Sequence, residues 1–213
     1  MITEPDVTLT DWALAIVAGA CAWRLHRHGP PSVLGRWLAL FFAATAGAAL
    51  LGGFVHGFFL DPGTWGARLL WPATLLAVGL TALAAWAAGA LLLLRPPWTR
   101  AVIVAAAVAF GAYGALVVFV APVFTLAVAQ YVPAALFLLV ALARAWARTR
   151  NRRVLEALAG LAALLAGSVV QWRGIALHPV YFTHNALYHV IAGVGLVLLF
   201  RGVRQLEAVA SRR

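Results

Sequence analysis

Three histidines, His56, His184 and His189, are the side chains of this sequence best suited to chemistry, and two of them fall in the run Thr183-His184-Asn185-Ala186-Leu187-Tyr188-His189. Imidazole is the commonest metal ligand and changes charge near neutral pH. Three such rings on zinc, with the fourth position open, would bring a bound water to a pKa of about 7 and polarise a carbonyl. Hydrogen bonding of each ring to a neighbouring helix is the plainer alternative, and an axial His56/His189 pair on a haem iron is another. Helix geometry constrains the run. At about 100° per residue, His184 and His189 point roughly 140° apart, whereas Asn185 and His189, four residues apart, share a face. His184 joins them only if Thr183 caps the helix and His184 lies in its irregular first turn.

The elements that must position these groups are apolar throughout. The chain is 64% hydrophobic and 10% charged, with a mean hydropathy of +0.95, against about one quarter charged in an ordinary soluble domain. This is the composition of an integral membrane protein. Apolar runs bounded by Arg, Pro and Gly predict an all-α fold of seven transmembrane helices in a single domain over 1–213. The spans are about 11–26, 34–60, 66–94, 98–120, 123–146, 153–172 and 183–203. Cys21 stands alone and cannot form a disulfide within the chain. The first residues carry Glu4 and Asp6 but no basic residue, so a cleavable signal peptide is not expected and the first helix is expected to stay.

A formal charge of +10 would point to nucleic acid in a soluble chain. Topology explains it better here. All sixteen basic residues are arginine, and only Arg68 and Arg173 fall outside the first, third and fifth loops and the C-terminal tail. The positive-inside rule then predicts an outer N-terminus and a cytoplasmic C-terminus, with arginine-rich loops against anionic membrane lipids. Glu4, Asp6, Asp11 and Asp61 fall outside. Abundant Ala, Arg and Gly with no lysine suggests a GC-rich bacterial genome, and so a bacterial plasma membrane.

Polar residues within the spans gather in the outer halves: His56, Thr74, Tyr113, Gln130, Tyr131, Ser168, Gln171, His184, Asn185, Tyr188 and His189. Such groups need water or one another at that depth, which predicts an outward-facing cavity. For Thr74, Tyr113, Tyr131 and Ser168 the competing reading is a single bond between helices. Asn185, Tyr188, Gln130, Gln171 and Tyr113 are expected to line the site. Asp61, five residues after His56, is a candidate acid or base, or else a turn-former before Pro62-Gly63. His178 could line the cavity mouth, His26 and His28 belong to a solvated loop, and Asp11-Trp12 reads as an N-cap and an interfacial anchor.

The histidine near the outer end of the second span and the cluster opening the seventh resemble the alkaline ceramidase and adiponectin-receptor superfamily of seven-helix membrane hydrolases. That family holds zinc with one histidine on helix two and an H-x-x-x-H pair on helix seven. His56 matches the first and His189 the last; Asn185 stands where the first histidine of the pair is expected, and His184 is displaced by one residue. Gly52 replaces the serine those enzymes carry four residues before the helix-two histidine. The resemblance implies zinc-dependent hydrolysis of a lipid amide or ester by metal-bound water, with His56, His184 and His189 as ligands. The alternative is a receptor or lipid-binding protein using the same cavity without chemistry. A transporter is disfavoured because the inner halves lack polar residues to line a path.

Overall fold

The computed structural model describes residues 2–27 and 32–210; His28, the Pro30-Pro31 break, Arg212 and Arg213 lie outside them. The described residues form seven helices: α1 (Pro5–Arg27), α2 (Val33–Phe58), α3 (Trp65–Leu93), α4 (Pro96–Phe119), α5 (Phe124–Thr149), α6 (Arg152–Trp172) and α7 (His184–Ala210). The protein is all-α, and six of the helices, α2 to α7, are long and apolar enough to cross a membrane. Local chemistry sets their ends. Ser32, Thr64 and Asn151 cap α2, α3 and α6 by accepting from the backbone N–H of Gly35, Ala67 and Arg153. Pro96 and Pro97 open α4, where the missing N–H would have had no helical partner. Arg150 ends α5 in the left-handed conformation, with φ 51°.

The largest departure from the expected spans is at the first helix, which begins at Pro5 rather than near residue 11. Proline is well placed in a first turn, and Asp6 beside it complements the positive helix end. Asp11 is therefore no N-cap; it sits in the second turn, buried at 5% exposure. At the other end of the chain α7 runs past residue 203 to Ala210, because Val203 and Leu206 still face the core.

The α3 helix is central, touching α2, α4, α5 and α7, and its run Ala82 to Ala90 is almost entirely buried. The main core joins Leu38, Phe41 and Phe42 of α2 to Leu138, Leu161, Leu196 and Leu199 of α5, α6 and α7. Helix α4 is peripheral and packs chiefly on α3. Helix α1 lies against both α2 and α7. The closest packing is between α6 and α7, where Gly160 and Gly195 bring the two backbones together. A Cβ on Gly195 would stand 2.7 Å from the Gly160 carbonyl oxygen, and backbone cannot swing aside as a side chain can. Overpacking of this kind costs about 1–3 kcal/mol. Gly195→Ala should therefore lower the thermal midpoint in detergent, whereas Gly111→Ala, with open space at its Cβ, should leave it unchanged or raise it slightly.

Candidate functional site

The start of α1, the end of α2 and the start of α7 meet at one end of the bundle, and this histidine end holds most of the polar side chains within the helices. Helix α1 and the residue just ahead of it supply the acids. Nδ1–H of His56 donates to Glu4 Oε2 at 2.5 Å. His189 is engaged on both sides of its ring: Oδ1 of Asp11 lies 3.2 Å from Nε2, and Oγ1 of Thr10 lies 3.1 Å from Nδ1. Asp6 Oδ2 accepts from the Thr183 N–H at 2.9 Å and from its hydroxyl at 2.7 Å, holding the first turn of α7. Thr3 and Glu4 donate their backbone N–H groups to Gly57 and His56 carbonyls at the end of α2.

Two glycines of α2 admit α1 to this position. A Cβ on Gly52 would lie 3.2 Å from Asp11 Oδ2, and one on Gly53 would lie 2.6 Å from the Trp12 ring. The serine expected at position 52 would crowd the carboxylate that reaches His189. Trp12 is accordingly packed against Gly53, Phe54 and Phe58 rather than serving only as an interfacial anchor.

Of the expected metal ligands, His56 and His189 stand close enough to interact electrostatically. His184 opens α7 in a half-buried position and makes no hydrogen bond among the described residues. Among the described residues no three His, Cys, Asp or Glu side chains are arranged to hold a metal ion. The reason is geometric: α1 occupies both nitrogens of His189, and Glu4 just ahead of it occupies Nδ1 of His56. A zinc centre on His56, His184 and His189 does not fit this arrangement.

Other expected site residues divide between two places. Gln171 Nε2 donates to Asn185 Oδ1 at 3.0 Å, joining the end of α6 to the start of α7. Tyr188 packs against the main core with Tyr131, and Ser168 Oγ donates to the Leu164 carbonyl of its own helix. Gln130 is nearby in depth, its Nε2 buried without a hydrogen-bond partner. Tyr113 belongs elsewhere: its hydroxyl donates to the Leu75 carbonyl at 2.7 Å, within a separate small core of α3, α4 and α5. Thr74 bonds back to Leu70 within its own helix. Asp61 is a turn-former; its Oδ1 accepts from Gly63 N–H at 2.8 Å on the exposed α2–α3 connection, so the acid or base role has no support there. His178 Nδ1 accepts from the N–H groups of Val180 and Tyr181, shaping the loop before α7, and His26 is exposed.

The residues that sequence reasoning passed over are Thr10 and Asp11, and the pairing of Glu4 and Asp6. A usable signal existed in the concentration of Glu4, Asp6 and Asp11 near the start of the chain, since opposite charges in a low dielectric find one another.

Beside this end, between α1 and α7, runs a groove of about 410 Å³. Thr10 and His189 stand at its head, and Leu14, Val17, Val194 and Leu198 are among its apolar walls.

A family model matches residues 7–208, nearly the whole chain. The chain belongs to the family of unknown function DUF6962. Neither the curated proteins nor the solved structures contain a match. The matched region begins two residues into α1, so Thr10, Asp11, His56 and His189 all lie within the family's domain, while Glu4 and Asp6 precede it.

Asp6 lies ahead of the apolar part of α1. Partial burial pushes its carboxyl up, but hydrogen bonds from the Thr183 backbone and hydroxyl and from nearby backbone N–H groups outweigh this and hold it below the ordinary value of 3.8. Its contribution to stability is therefore present above the ordinary value and is lost as pH falls through the lowered one. Asp6→Asn should lower the thermal midpoint at pH 7, and the gap from the wild type should close as the pH is taken below 3.8. A gap that persists unchanged in acid would show that charge on Asp6 is immaterial.

Proposed function

We propose that the protein is a seven-span membrane protein, with its N-terminus outside and its C-terminus in the cytoplasm, that binds a membrane lipid in the α1–α7 groove. The seventh span would be α1. Beyond Asp6 it runs from Val7 to Arg27, about 31 Å, enough for a hydrocarbon core of about 30 Å. Asp6 and Asp11 lower its apolar character, but both are bonded to α7. The arginine asymmetry supports the orientation, and the composition supports the plasma membrane of a bacterium.

One observation carries the lipid reading: the groove is apolar along its walls and polar only at its head, where Thr10 and His189 stand. From His189 to Leu198 it follows nine residues of α7, about 14 Å at 1.5 Å per residue. That is close to half the hydrocarbon thickness of about 30 Å. One acyl chain of the outer leaflet matches this length, with the ester or amide end at Thr10 and His189. The volume lies in the range of small-molecule sites, about 300–1,000 Å³.

Metal-dependent hydrolysis of a lipid amide or ester is the second reading. It is supported by the resemblance to the ceramidase superfamily and by the placing of His56 and His189 at the same end of the bundle, each against an acid from the start of the chain. It requires both rings to leave their α1 partners.

In vesicles containing a phosphatidylcholine with a diazirine on one acyl chain, illumination should place adducts on the α1–α7 groove in preference to the exposed face of α4. Gly193→Leu, which fills the groove beside Leu14, should reduce them about tenfold. Equal labelling of the groove and α4 would sink the lipid site. Metal analysis separates the two readings. On the lipid-binding reading purified protein carries no stoichiometric zinc, and His56→Ala and His189→Ala change nothing; about one zinc per chain, lost in both variants, would decide for the metal hydrolase.

A further inference from the structure

We propose that Thr10, His189 and Asp11 form a relay of hydroxyl, imidazole and carboxylate that cleaves an acyl ester lying in the α1–α7 groove, with Thr10 as the nucleophile. This rests on the reading of the groove as an acyl-chain site and needs no metal.

Thr10 and Asp11 are consecutive residues of α1 that reach the two nitrogens of one ring, Thr10 Oγ1 at 3.1 Å from Nδ1 and Asp11 Oδ1 at 3.2 Å from Nε2. The relay requires Asp11 as a carboxylate that accepts from Nε2–H, the form that leaves the lone pair on Nδ1 facing the Thr10 hydroxyl. That hydroxyl also lies 2.7 Å from the Asp6 carbonyl and 3.0 Å from the Val7 carbonyl. All three neighbours are acceptors, so rotation about the Cβ–Oγ bond moves its one proton between the backbone and Nδ1. The ring is 8% exposed and Asp11 5%. Thr10 and His189 line the groove, and Asp11 does not.

Nucleophilic catalysis needs this separation: nucleophile and base open to substrate, the orienting carboxylate buried behind them. The ring is used with its two nitrogens exchanged relative to the familiar serine hydrolase arrangement, which leaves the proton path intact. A mere tie between α1 and α7 would not need these groups to open on the groove, and Asp6 with Thr183 already supplies one.

The step balances without a redox partner. Thr10 Oγ bonds to the ester carbonyl carbon as its proton passes to Nδ1, and Asp11 holds the imidazolium. The ester C–O bond breaks, and the departing alcohol takes the proton from Nδ1. Water then attacks the acyl-threonine, giving its proton to Nδ1 and from there to Thr10, and a free carboxylic acid leaves. Thr10 and His189 are the catalytic residues; Asp11 is a positioning residue.

The test uses the full chain in lipid nanodiscs with two probes, a long-chain β-lactone and a fluorogenic long-chain acyl ester. Ring opening of the lactone by a nucleophilic hydroxyl adds its whole mass, and the adduct is expected on Thr10. Thr10→Ser should keep both labelling and hydrolysis, while Thr10→Ala should lose labelling there and at least 100-fold in hydrolysis. Asp11→Asn should lower kcat at least tenfold with little change in KM. His189→Gln and Asp11→Asn break a buried pair, so the comparison of Thr10→Ser with Thr10→Ala, which leaves that pair in place, decides the outcome. Wild-type protein that crosslinks lipid in the groove yet neither labels at Thr10 nor hydrolyses the ester would overturn the chemistry and leave the lipid site standing. Loss of crosslinking as well would overturn both. Labelling that persists in His189→Gln would mark Thr10 as merely accessible and overturn the relay.

Discussion

Burying charge within a bundle of apolar helices is tolerable only in pairs, and this constraint organises the histidine end. An unpaired carboxylate or imidazolium taken out of water carries a penalty of several kcal/mol. Two acids answer the histidines of two other helices: Glu4, just ahead of α1 and partly exposed, reaches His56 on α2, and Asp11 on α1, buried, reaches His189 on α7. Because the partners stand on different helices, satisfying them sets where α1 lies. Gly52 and Gly53 follow from the same demand, since any larger residue on that face of α2 would hold α1 away from His189.

The rest of the fold supports that placement with ordinary packing. Small residues let α6 and α7 approach until their backbones touch at Gly160 and Gly195, as van der Waals packing in a membrane favours. This close pairing holds α7 rigidly on one side and leaves its other side to α1. The α1 and α7 backbones separate enough at Gly193 and Leu14 for a groove to open beside the polar cluster. Arginines concentrate at the opposite end, where Glu156 gathers Arg153 and Arg201. Glu156 is itself 15% exposed, but both arginines are about half exposed, so solvent screens these pairs more than it does His189 with Asp11.

Much of this was legible in the chain. Periodic breaks at Arg, Pro and Gly located the helices of the described residues, while Asn185 and His189, expected to share a face, meet different neighbours, Gln171 of α6 for the one and Thr10 and Asp11 of α1 for the other. The misreadings share one cause. Asp11 passed for a cap because a lone acid before an apolar run ordinarily is one, and nothing local says that the helix begins a turn and a half earlier at Pro5. Tyr113 was grouped with the histidines because depth is readable from sequence while position around the bundle is not; its hydroxyl bonds to Leu75 in a different core. Asp61 is the acid nearest His56 in sequence, yet Glu4, fifty-two residues away, is the acid that reaches it.

What the sequence determined by itself was the all-α membrane character and the end of the bundle at which polarity gathers. Those properties depend on composition and on periodicity along one axis, and each residue carries them independently of its neighbours in space. The tertiary structure alone decided which acid meets which histidine, and that Thr10 and His189 open together on an apolar groove. Pairing depends on how helices rotate and approach one another. That is a property of small residues such as Gly52, Gly53 and Gly195, whose effect is visible only when the surface they admit is known.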